Sequence, residues 1–140
     1  MAEDEVAMRL IRSDDAPPTN PGSEAFEFGL QDAKGKIVPG ARDAEGRFVF
    51  DFVLGVKAGR DPDRPSFTGP FASGPADDRF VYLSWRSKPR GVWINRVKAS
   101  LAEIDWPLVR EAQSSGRRIS ADLTGRMPHA GRKPVGWRLD

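Results

Sequence analysis

Strict alternation of apolar and polar positions is the strongest pattern in the chain. From Phe48 to Leu54, apolar Phe48, Phe50, Phe52 and Leu54 face one way while Val49, Asp51 and Val53 face the other. That period of two predicts a strand with one buried face. Phe26, Phe28 and Leu30 alternate in the same way with Glu27, Gly29 and Gln31, and shorter runs predict strands at Val6 to Ile11, around Ile119, Ala121 and Leu123, and around Val135, Trp137 and Leu139. Strands over Arg79 to Arg86 and Gly91 to Leu101 form a hairpin across Ser87-Lys88-Pro89-Arg90.

Turn chemistry separates these strands. Asp32-Ala33-Lys34-Gly35 and Asp43-Ala44-Glu45-Gly46 repeat one hairpin signature, in which Asp bonds the turn backbone and Gly supplies a positive φ. Residues 13–23 read as an exposed Pro-rich loop, and residues 57–78 as a long Gly- and Pro-rich loop anchored by Phe67 and Phe71. The one helical pattern has Asp105 as N-cap, Pro107 in the first turn, apolar Trp106, Val109 and Ala112, and Gly116 as the stop. The expected fold is mostly β (α+β). It is a small antiparallel barrel or sandwich of about seven strands with one short helix near residues 105–115, in a single domain spanning residues 1–140.

Composition narrows the function classes. The 140 residues are 39% hydrophobic and 30% charged, which suits a packed globular domain. With no Cys there is no disulfide, thiol nucleophile or thiolate metal site. The start Met1-Ala2-Glu3-Asp4-Glu5 lacks the basic stretch of a secretory signal, so the expected location is the cytoplasm. The apolar run Phe48 to Val56 is too short to cross a bilayer, and no membrane partner is expected. His129 is the single histidine, which excludes a multi-histidine metal site. No nucleophile elbow and no Gly-rich phosphate loop occurs. No catalytic residue, cofactor or metal is therefore assigned, and the residues favour a binding domain over an enzyme. Acid-base work would have to come from Tyr82, Asp51, Lys98 or His129.

Charge is unevenly distributed although the net value is only +2. Residues 1–78 carry nine basic and fifteen acidic side chains, residues 79–140 thirteen and five. Such asymmetry points to an anionic partner. Arg79 to Ala102 holds six cations and no carboxylate, interleaved with Phe80, Tyr82, Trp85 and Trp93. The candidate ligand-binding residues are Arg79, Tyr82, Ser84, Trp93, Arg96 and Lys98. The leading expectation is an anionic small molecule or acidic partner surface, held by Arg79 and Arg96 beside Tyr82 and Trp93. One version places Arg79, Tyr82 and Arg96 inside a barrel mouth lined by Phe48, Phe50, Phe52 and Trp93, with Asp51 or Asp122 as an internal counter-charge. The alternatives are single-stranded nucleic acid on the same hairpin, where bases stack on rings and cations meet phosphates, and a homo-oligomer.

Several segments in order resemble a bacterial domain-of-unknown-function family, family 5990. They are Gly29-Leu30-Gln31-Asp32, Phe67-Thr68-Gly69-Pro70-Phe71 with Gly74-Pro75, Arg79-Phe80-Val81-Tyr82-Leu83-Ser84-Trp85, Arg96-Val97-Lys98 and Gly136-Trp137. The resemblance spans most of the chain and implies a small, stand-alone bacterial cytoplasmic domain. It carries no activity, cofactor or catalytic residue with it.

Overall fold

The structure is a computed structural model and describes residues 4–13, 27–40, 42–75, 78–86, 92–93, 95–128 and 133–140. Most of the 13–23 loop, the Ser87 to Arg90 turn and His129 lie outside the described residues. Nine strands and one helix follow the chain in the order β1 (Glu5–Arg12), β2 (Glu27–Gln31), β3 (Ile37–Pro39), β4 (Phe48–Ala58), β5 (Pro65–Thr68), β6 (Phe80–Arg86), β7 (Asn95–Ser100), α1 (Trp106–Ser115), β8 (Ile119–Asp122) and β9 (Arg138–Leu139). They form a five-stranded sheet in the order β5-β4-β1-β8-β9 and a four-stranded sheet in the order β3-β2-β6-β7. The two sheets pack as a sandwich and do not close into a barrel.

Alternation decides which side chains lie between the sheets. In β1, Val6, Met8 and Leu10 are fully buried, and across the antiparallel ladder they pair with Leu54, Phe52 and Phe50 of β4. The four-stranded sheet contributes Phe28, Leu30, Val81, Leu83, Val97 and Ala99 to the same core. The Phe28 ring joins the two layers, meeting Phe48 edge to face at 5.3 Å and Trp85 at 6.0 Å. Arg12, also on the inner face of β1, is 1% exposed. Its guanidinium lies 4.8 Å above the Phe28 ring, and Nη1 donates to the Arg126 carbonyl at 2.7 Å. The aliphatic stem packs like an apolar residue while the head finds a ring face and a carbonyl.

The turns have the expected chemistry. Asp32 Oδ1 accepts from the amides of Lys34 and Lys36 at 2.9 and 2.8 Å, and Asp43 Oδ1 accepts from Glu45 and Arg47 at the same two distances. Gly35 and Gly46 close the turns at φ 86° and 80°, where a Cβ would be strained. Helix α1 starts with Asp105 accepting from the Leu108 amide at 3.0 Å and stops at left-handed Gly116.

Three features differ from expectation. The long loop assigned to residues 57–78 is partly regular, because β4 runs on to Ala58 and β5 returns against it, pairing Lys57 with Ser66 and Val56 with Phe67. The short strand β3 raises the count further. One pair is parallel: Met8 of β1 lies beside Ile119 of β8, and Leu10 beside Ala121. The helix between β7 and β8 is the crossover that permits a parallel neighbour.

Candidate functional site

The outward face of the four-stranded sheet collects the rings and cations of the hairpin. Its register sets Gly29, Ser84 and Arg96 side by side, and likewise Gln31, Tyr82 and Lys98. Outward side chains of β6 are therefore Phe80, Tyr82, Ser84 and Arg86, and those of β7 include Arg96 and Lys98. Phe80 and Tyr82, half-buried, lie with ring centroids 6.2 Å apart.

Each outward ring has a cation over it. Lys98 Nζ stands 4.3 Å from the Phe80 centroid, the Arg96 guanidinium 5.0 Å from Tyr82, and that of Arg86 4.4 Å from Trp93. The first two are diagonal cross-strand contacts, which long side chains reach on a pleated face. Arg86 is also ion-paired, with Nη2 2.7 Å from Glu27 Oε2. Arg96 and Lys98 have no carboxylate at ion-pair distance among the described residues.

Gly29 explains how Trp93 lies on this face. A Cβ at Gly29 would stand 2.4 Å from Ile37 Cγ2 and 3.0 Å from the Trp93 ring, so the missing side chain is the space the indole uses. Trp93 thus covers the sheet near Ser84, which is 1% exposed and donates to Gln31 Oε1 at 3.0 Å. Ser84, expected in the site, is a buried support with its hydroxyl already bonded.

Four of the six expected residues share this face in accessible positions: Tyr82, Trp93, Arg96 and Lys98. Arg79 does not join them. It precedes β6, donates from Nη1 to the Ala72 carbonyl at 3.0 Å, and lines a cleft against the β4–β5 hairpin. The barrel-mouth arrangement is also corrected. Phe48, Phe50 and Phe52 fill the sandwich core, whereas Tyr82, Arg96 and Trp93 lie outside it. Arg86 was not among the expected site residues, although its position in the strand period placed it beside Tyr82.

The carboxylates expected to face those arginines are used elsewhere. Asp122 Oδ1 accepts from the Thr124 amide and hydroxyl at 2.9 and 2.6 Å. Asp51 lies on the outer face of the other sheet, with Oδ1 2.7 Å from Arg9 Nε and 3.9 Å from Arg118 Nε. The Arg9 hydrogen bond, aided by the charges of Arg118 and Arg9, holds the Asp51 carboxyl below its ordinary value against the opposing effect of burial. A depressed folded-state value means stabilisation that is present above the ordinary carboxylate range, near 3.9, and is lost as pH falls through the folded value. Urea unfolding of Asp51→Asn is therefore expected to show a small deficit at pH 6 that closes by about pH 3, small because the pair is partly exposed.

Among the described residues no group of three His, Asp or Glu side chains is placed to hold a metal, and no helix is long and apolar enough to cross a membrane. Fold and site together define a two-sheet β protein with an open aromatic and cationic face. The chain belongs to a family of unknown function, DUF5990, whose family model matches residues 7–139. No curated protein and no solved structure matches it.

Proposed function

We propose that the protein binds single-stranded nucleic acid on the outward face of the β2-β6-β7 surface. The observation that carries this reading is the set of three part-exposed rings, Phe80, Tyr82 and Trp93, each accompanied by a cation on one sheet face. Same-face residues along a strand repeat at about 6.6 Å, so rings at Phe80 and Tyr82 offer successive stacking positions. Stacking is tolerant of base identity, and Arg96 and Lys98 supply charge for the phosphates. At the Phe80 end the surface meets a cleft that holds Asp78 and Glu103 as well as Lys98 and Lys133, which limits the cationic stretch there. The small-molecule reading loses its geometry on this face, because Arg79 and Arg96 do not converge. The face is open, which suits an extended strand.

Titration of a labelled single-stranded oligonucleotide, followed by fluorescence anisotropy, tests the proposal. Two phosphates neutralised by Arg96 and Lys98 predict a slope of log affinity against log salt near −1.4. Affinity should then fall about sevenfold between 50 and 200 mM salt. Binding that ignores salt, or its absence at 50 mM salt, would overturn the reading; a dimer in gel filtration that Tyr82→Ala dissolves would give the face to a second copy of the chain.

A further inference from the structure

A second basic site lies away from the aromatic face. Where β4 and β5 turn back on each other, a cleft of about 630 Å³ opens between their hairpin and the end of β7. Its walls carry Lys57, Arg60, Arg64 and Arg79 against one carboxylate, Asp61. Its floor is apolar, made by the buried core residues Phe67 and Leu101. The volume falls in the range of small-molecule sites.

The cations are positioned by backbone contacts and lack counter-charges. Arg79 is held by the Ala72 carbonyl, and its Nε is enclosed with no hydrogen-bond partner. Arg64 donates from Nη1 to the Ala102 carbonyl. The Asp61 carboxylate accepts from the Asp63 amide at 2.9 Å, within its own turn. Among the described residues no carboxylate comes within ion-pair distance of Lys57, Arg64 or Arg79. Part-buried guanidinium groups without counter-ions favour an incoming anion, and Arg forks match the oxygens of phosphate.

We infer that this cleft binds a small phosphorylated molecule, the cations taking the phosphate and the Phe67–Leu101 floor taking a short apolar body. The inference uses none of the residues of the aromatic face, so each can fail without the other.

Inorganic phosphate is the first probe, added to the full chain at constant ionic strength against chloride. A millimolar dissociation constant predicts that 10 mM phosphate raises Tm by roughly 3–5 °C. Arg79→Gln should weaken phosphate binding about tenfold. Because Arg79 also holds Ala72, Lys57→Gln and Arg64→Gln are run beside it, and Lys57 is exposed with no other contact to lose. A threefold or greater loss in Lys57→Gln, with Arg96→Gln unchanged, supports the cleft. A Tm shift no larger than that of chloride overturns it, as does phosphate binding that survives both Lys57→Gln and Arg64→Gln or that disappears in Arg96→Gln instead.

Discussion

Replacing Phe28 by alanine is expected to destabilise the protein by about 3–5 kcal/mol, the usual cost of deleting a core phenyl ring. Phe28 is fully buried and touches both layers, with Phe48 on one side and Trp85 on the other. Its loss leaves a cavity between the sheets and removes the ring face under the Arg12 guanidinium, 4.8 Å away. Domains hold only about 5–15 kcal/mol in total, so the substitution consumes much of the available stability. Tm should fall by roughly 10–20 °C, and the urea midpoint should move without a change in slope. A loss below about 1 kcal/mol would mean that the layers do not pack through this ring.

The double variant Tyr82→Ala, Trp93→Ala is expected to lose oligonucleotide affinity by at least about thirtyfold, since each stacked base contributes roughly 1–3 kcal/mol. Neither substitution changes charge, so the salt slope should remain while the affinity falls. That separates stacking from phosphate attraction. Tyr82→Phe keeps the ring and should bind like the native protein. Both rings are only half-buried, so folding should survive, with circular dichroism and Tm as the check. Native-like affinity in the double variant would remove stacking from the mechanism.

Much of the fold was legible because its signals are local. The Phe48 to Leu54 period needs only neighbouring residues, and so do the Asp-x-x-Gly turns and the Asp105 and Gly116 caps. β5 escaped because Pro65 to Thr68 sits in a Gly- and Pro-rich run, and its pairing with β4 is what orders it. The parallel pairing of β1 with β8 depends on residues more than a hundred positions apart, which no window along the chain can contain.

The candidate site was half legible for the same reason. Alternation placed Phe80, Tyr82 and Arg86 on one side of β6, but nothing local put Trp93 onto Gly29 or tied the Ser84 hydroxyl to Gln31. Arg79 fell out because β6 begins one residue after it and its guanidinium reaches back to Ala72. Arg12 gave no sign of burial, since the ring that covers it belongs to the opposite sheet.

The parallel pairing of Met8 with Ile119 also sets an order in time. β1 is flanked by β4 on one side and β8 on the other, so the emerging chain can satisfy only one of its two edges until residues 119–122 have left the ribosome. In that interval the second edge presents bare amides and carbonyls, which is where a nascent chain is most exposed to mispairing. Folding should end with β8 docking, at the millisecond-to-second rates of β proteins dominated by distant contacts.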